Sequence, residues 1–340
     1  MSKIDMKYPM RGEFTTRVIC AKTGVVKDEK TFPNTLTTLF FERALNINAS
    51  SSDRFFGFMA GSGSSEPLET DQQLDARVGY AAVFPAESTV EINSERVPRY
   101  KKQSVTMRAG EGVFVGNISE LAIYGGNANP DHANAYMASR ALIRDASGAP
   151  TSITVLSDEF LEITWSIYIY MWDSVTGVLN INIDGVLEEF NYEIRPVRMN
   201  SALFLGTSTG YGVSYTPHVS NSTGANVRCC YVSEQDEFVS VNESSNTSAP
   251  FADRFTSVTQ GVYNPVSRSR EFTIRLPLDR GNKTGGFRSI FLYMDNSGND
   301  NSWFRTAHQM LLDRPVPKNA ERIFDLPIVI SLSNGTAPEE

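Results

Sequence analysis

The stretch Gly206-Thr207-Ser208-Thr209-Gly210 spells G-x-S-x-G, the pattern of a hydrolase nucleophile elbow, in which a sharp strand-to-helix turn exposes a serine hydroxyl. An elbow needs a helix directly after the serine. Here the chain continues "TGYGVSYTPHVSNSTG", too rich in glycine and serine, with a proline, to form one. Ser208 therefore reads as part of a small-residue strand end. The histidines that could serve it as base are His132, His218 and His308, each in or beside a loop by sequence and expected to be exposed. None has the i, i+4 or cysteine-adjacent spacing of a metal site. Cys20, Cys229 and Cys230 are odd in number, and a bridge between neighbours is strained, so all three are expected as reduced thiols. The loop Asp295–Asp300 gathers oxygen ligands but lacks the sixth-position glycine and twelfth-position acid of the helix-flanked calcium loop. A hairpin loop explains it equally well. Glu188-Glu189 and Asp236-Glu237 invite a glycosidase reading, yet catalytic carboxylates face each other across a cleft, which adjacency in sequence does not supply. The expectation is no catalytic residue, no cofactor and no metal.

What must position any such groups is mostly strand. In "LEITWSIYIY", Leu161, Ile163, Trp165, Ile167 and Ile169 share one face, while Tyr168 and Tyr170 fall on the polar one. Those two tyrosines, with Trp303 in a loop, are expected to be exposed and to serve a subunit interface or stack on sugars. "FTIRL" (272–276) and "LPIVISL" (326–332) repeat the alternation, with Pro327 marking an edge or a strand start. Asp184-Gly185 separates two alternating runs and predicts a hairpin. The one good helix follows Asn34, a candidate N-cap, through "TLTTLFFERALN". Loops rich in Ser, Asn, Gly and Pro run over 125–134, 217–226, 239–250 and 279–286.

A faint internal repeat orders these strands. "VTMR" (105–108) matches "FTIR" (272–275), "ISELAIY" (118–124) matches "FRSIFLY" (287–293), and Arg140 is matched with Arg305. The strand at 161–169 matches that at 326–332, with Trp165 opposite Ile330 in the comparison. "TGVV" (23–26) pairs with "TGVL" (176–179), and "FMAGSGSS" (58–65) with "LFLGTSTG" (203–210). The fold expected is mainly β: two tandem β-sandwich-like domains, 1–171 and 172–340, each with its own core, one short helix in the first, and long 217–250 loops in the second.

Composition narrows the partners. The 340 residues carry a net charge of −8, and no run of Lys or Arg exceeds two residues. Phosphate-backbone binding needs a basic stripe, so neither nucleic acid nor an anionic membrane surface is an expected partner. No targeting segment and no membrane span is expected, and the Asn-x-Ser/Thr triplets read as by-products of composition.

The order of motifs in the first half resembles structural proteins of tailed-bacteriophage tails and fibres. A hairpin leads through Phe32 and Asn34 into a short helix; a strand ends at Gly61 and Gly63, with Asp71 and Leu74 beyond it. An I-x-E-L strand (Ile118, Glu120, Leu121), a strand with Arg140 and a terminal strand with Trp165 follow. The resemblance weakens in the second half. It implies a non-enzymatic virion component of a baseplate, collar or fibre attachment, made in the host cytoplasm, homo-oligomeric and bound to other tail proteins. The alternatives are a host receptor- or glycan-binding module using the 207–250 region and, third, a polysaccharide hydrolase.

Overall fold

Seventeen residues alternating apolar and polar, Ile4 to Cys20, form β1, long enough at about 3.3 Å per residue to serve two neighbourhoods at once. A computed structural model describes residues 3–46, 55–83, 87–94, 99–197, 230–240, 253, 255, 257–293 and 307–335. After β1 come β2 (Val26–Leu36), α1 (Thr38–Ala44), β3 (Phe55–Gly61), β4 (Arg77–Ala82), β5 (Glu87–Asn93), β6 (Arg99–Arg108), β7 (Gly116–Ile118), β8 (Glu120–Gly125), β9 (Tyr136–Leu142), β10 (Ile153–Val155) and β11 (Glu159–Met171). The second half adds β12 (Val175–Ile183), β13 (Val186–Val197), β14 (Cys230–Ser233), β15 (Ser257–Gln260), β16 (Ser269–Leu276), β17 (Phe287–Tyr293), β18 (Ala307–Val316) and β19 (Phe324–Asn334). The fold is mainly β and sandwich-like, with α1 the one helix among the described residues.

The hairpin expected at Asp184-Gly185 is present. Both residues hold positive φ, 53° and 86°, as a two-residue turn matched to strand twist requires. The helix begins later than its sequence signal. Thr37 is the cap: its hydroxyl oxygen accepts from the Phe40 N–H at 3.2 Å, and the hydroxyl donates to Met137 O at 2.6 Å. Asn34 is instead in β2 opposite Gly12. Its side-chain oxygen, oriented to satisfy both donors, accepts from the Glu13 N–H and the Trp165 Nε1–H.

Two sheets carry most of the strands. The larger joins β15–β16–β19–β1–β2–β9–β8–β3–β4, with β11, β6 and β5 attached through β1; the other runs β12–β13–β18–β17–β14. The strand order recurs across the halves. On either side, a strand (β8 or β17) lies between β9 and β3 in the first half and between β18 and β14 in the second. Likewise β5–β6–β11 and β15–β16–β19 follow one pattern. Register fixes the equivalences: Ala122 faces Met59 and Arg140, while Phe291 faces Tyr231 and Gln309. The counterpart of Arg140 is therefore Gln309 rather than Arg305, and β14 holds the place of β3. "TGVV" and "TGVL" are not equivalent, since the first spans the β1–β2 turn and the second lies inside β12. Val105 pairs with Trp165 and Phe272 with Ile328, so Ile328, not Ile330, matches Trp165.

Separate cores for 1–171 and 172–340 are not what these strands build. The first part of β1 pairs in parallel with β19, Ile4 with Ile328 through Met10 with Asn334. The rest pairs antiparallel with β11 and β2. The strands at 161–169 and 326–332 thus share one sheet, and buried apolar residues of both halves form one contiguous cluster. Pro327 sits one residue before β19 begins its ladder with β1, so the missing N–H costs no bond on that side.

β11 differs from the expected one-sided strand. Trp165 and its face are buried, but so are Tyr168 and Tyr170 on the other face. The Arg11 guanidinium lies 4.2 Å over the Tyr168 ring and the Lys102 ammonium 4.9 Å from it, while Tyr100 meets both tyrosines edge-on. Long cationic side chains from β1 and β6 cover these rings with their stems. They are not the open aromatic surface the alternation suggested.

Candidate functional site

Gly61, Gly63, Asp71, Leu74, Glu120 and Arg140, separate marks along the sequence, converge on the outer face of β3, β8 and β9, whereas Phe32, Ile118, Leu121 and Trp165 belong to the main core. Glu120 opens β8 and Arg140 lies in β9; both are buried, with the Glu120 side chain at 0 % exposure. The Arg140 guanidinium donates to Glu120 Oε2 through Nε at 3.0 Å and Nη2 at 2.9 Å, and to Asp71 Oδ2 through Nη1 at 2.7 Å. Nη2 also reaches Asp75 Oδ2 at 3.0 Å and Ser65 O at 3.2 Å. Glu120 in turn accepts from the N–H groups of Gly63 (3.0 Å), Ala76 (2.8 Å) and Asp75 (3.2 Å). A buried carboxylate and guanidinium thus fasten both ends of the 62–76 loop over the sheet.

The glycines follow from this closeness. A Cβ at Gly61 would fall 2.5 Å from Glu120 Oε1 and 2.7 Å from Ala76 O, and one at Gly63 would overlap Asp75 and Glu120. The Ser65 hydroxyl and N–H, helped by the Arg140 charge, hold the Asp75 carboxyl below the usual carboxylate range. Leu74 from the same loop packs onto Met59, Ala122, Tyr124 and Met137. Chemically the cluster is closed: each charged group is bonded within it, and it holds a loop in place.

The second half builds the same device without charge. At the positions of Glu120 and Arg140 stand Ser289 and Gln309, both buried. Gln309 Nε2 donates to Ser289 Oγ at 2.6 Å and to Glu237 O at 2.8 Å, and its Oε1 accepts from the Val239 N–H at 2.7 Å. Val239 then caps Tyr231, Phe291 and Val197, as Leu74 caps its own cluster. Nothing in the sequence comparison exposed this pair, because an amide and a hydroxyl replace a guanidinium and a carboxylate.

The other sequence candidates do not assemble. Glu188 and Glu189 are successive residues of β13 and so point to opposite faces, and Glu188 pairs with Arg314 at 2.9 Å. Asp236 and Glu237 are exposed in the loop after β14. His132 is exposed, its Nδ1 accepting from the Asn134 N–H at 3.1 Å. Cys20, at the end of β1, is a half-exposed thiol, and Cys230 is buried in β14. Among the described residues no group of three or more His, Cys, Asp or Glu could hold a metal ion. No helix among them is long and apolar enough to cross a membrane. Ser208 with its whole pentapeptide, His218, Cys229, Asp295–Asp300 and Trp303 lie outside the described residues, as does 207–250 apart from 230–240.

His308 departs from expectation. It is a buried residue of β18, paired with Leu292 and Pro196, rather than a loop histidine. The Tyr8 hydroxyl lies 3.5 Å from its Nε2, and Trp172 packs on both rings at 5.0 and 5.2 Å. Burial, with the nearby Lys101 charge, pushes the imidazole down to about 3 from its usual 6.5. Burial alone pushes the Lys101 ammonium down to about 7. Both native groups bind protons less readily than the unfolded chain, so both make stability fall on acidification: Lys101 from about pH 10.5 to 7, His308 from about pH 6.5 to 3. At about 1.4 kcal/mol per pH unit, the His308 share reaches several kcal/mol at the acid end. Melting His308→Leu and the parent at pH 7 and pH 4 should show the parent losing more. Equal losses would place the titration elsewhere.

Compared with known protein families, with curated proteins and with solved structures, the chain matches none.

Proposed function

We propose that this protein is non-enzymatic and acts by assembly, as a homo-oligomeric structural component of a tailed-phage virion. The observation that carries the assembly part is the edge of β12, which no described strand pairs with. Among the described strands β12 pairs with β13 alone, although its counterpart β1 is flanked on both sides. Beside that edge the hairpin tip exposes Val186 and Leu187, at 62 % and 61 %, and Arg322 pairs with Asp184 to bring half-exposed Ile323 alongside. An unpaired edge next to apolar side chains is how sheets add to one another, here to a second copy. The virion part rests on the motif resemblance of the first half, in which Gly61, Gly63, Asp71, Glu120 and Arg140 serve as a loop clasp, as a structural role requires.

Sedimentation of the purified chain over a concentration series is expected to show self-association that Leu187→Glu weakens. Immunolabelling of tailed particles should then place the chain on the tail. A monomer at every concentration would overturn assembly through this edge, and unlabelled particles would overturn the virion assignment.

A further inference from the structure

The clasped face of the first half differs from its counterpart in what lies on top of it. In the second half Tyr231 and Phe291 stack at 4.6 Å, nearly parallel, and Val239 closes over them. At the equivalent positions the first half has Met59 and Ala122; Ala122 is wholly buried in a cluster with Leu74, and the surface beside them, over Met59 and Met137, is concave. A cleft of about 390 Å³ lies there between the 62–76 and 126–135 loops. Its floor is Met59, Leu74 and Met137, and its walls include Tyr124 and Tyr136. Its rim is polar: the exposed amides of Gln72 and Gln73, with Arg77 at the start of β4 and Asp131 in the facing loop.

We infer that this cleft binds a neutral, polyhydroxylated ligand of the size of a saccharide unit. The volume falls in the range of small-molecule sites, about 300–1,000 Å³. The rim carries one cation and one anion, and they are joined bidentately, Arg77 Nη1 and Nη2 to Asp131 Oδ1 and Oδ2 at 2.7 and 3.0 Å. An ionic ligand would have to break that pair. A neutral one can use its remaining lone pairs and the Gln72 and Gln73 amides while leaving it intact. An apolar floor beneath a ring of donors and acceptors suits a sugar ring, whose C–H face is apolar and whose edge is hydroxylated. Arg140 and Glu120 fix one wall beforehand, which lowers the ordering cost of a weakly binding ligand. The inference is independent of assembly through β12.

The test is NMR on the full chain with ¹³C-methyl methionine, titrated with methyl α-glucoside, methyl β-galactoside and methyl β-N-acetylglucosaminide. At least one glycoside should shift the Met59 and Met137 methyl signals, with a Kd in about the millimolar range. Gln72→Ala/Gln73→Ala changes exposed residues only and should weaken that affinity about tenfold. Ala135→Trp, which sets a large ring in the cleft lining, should abolish it; if that variant does not fold, the rim variant decides. Leu187→Glu should bind as the parent does, which separates this result from the assembly reading. No shift with any glycoside, shifts unchanged in the rim variant, or shifts produced by a protein partner and not by glycosides would each overturn the inference.

Discussion

Arg140→Ala is expected to destabilise the protein by about 3–5 kcal/mol, the usual cost of removing one partner of a buried ion pair. The Glu120 carboxylate would remain at 0 % exposure with only backbone N–H donors, and its strongest partner would be gone. Asp71 and Asp75 would lose the cation that draws them over the sheet, so the 62–76 loop should open to protease before the rest of the chain. Arg140→Lys should recover little, because an ammonium cannot span Glu120 and Asp71 together in the fork geometry the guanidinium uses. The informative variant is Arg140→Gln with Glu120→Ser, the pair that Gln309 and Ser289 make in the second half. It removes both charges at once and should lose less than Arg140→Ala alone. Urea unfolding measures all three. If Arg140→Ala unfolds within 1 kcal/mol of the parent, where single surface changes fall, the clasp is not a stabilising element.

Trp165→Asp is expected to be at least as severe, on the order of 5 kcal/mol, and to leave the first half without a packed core. The indole is 1 % exposed and sits in register between Phe14 and Val105 of the neighbouring strands. It meets Phe55 edge-on at 4.6 Å and Phe40 at 6.2 Å, tying β3 and α1 to the sheet. Aspartate would lose those contacts and bury a charge where no described cation waits. Tyr168→Ser, three residues along on the opposite face, should cost less, because Tyr168 is covered by long cationic side chains rather than enclosed by core. Equal melting temperatures for the two variants would show that the faces of β11 are wrongly distinguished.

Much of this could be read from residue order. Period-two alternation located β11, β16 and β19, and Asp184-Gly185 gave the β12–β13 turn, because those signals are local. The motif residues Gly61, Gly63, Asp71, Leu74, Glu120 and Arg140 were visible as separate marks along the chain. Their meeting was not, since it depends on β8 lying between β3 and β9, a register no single strand encodes. The repeat was found at β6 with β16 and β8 with β17, where apolar patterns survive. It failed at Arg140, where chance identity favoured Arg305 and the true partner, Gln309, differs in charge. "TGVV" misled because a turn tetrapeptide recurs easily. His308 was misplaced for a related reason: nothing local shows that β18 is central in its sheet, between β13 and β17.

The pairing of β1 with β19 also bears on how the chain is made. Among the described strands β1 comes first in the chain and β19 last, yet Ile4–Met10 pairs directly with Ile328–Asn334. β11 and β2 can zip onto Met10–Cys20 while the second half is still in the ribosome, but the leading residues of β1 must wait for β19. Contacts of such sequence separation are the slow ones, because loop closure precedes any reward. During that interval a nascent chain presents Ile4, Met6, Tyr8 and Met10 as a bare apolar row. Chaperone cover over these residues, and late, cooperative closure of the larger sheet, are what such a topology demands.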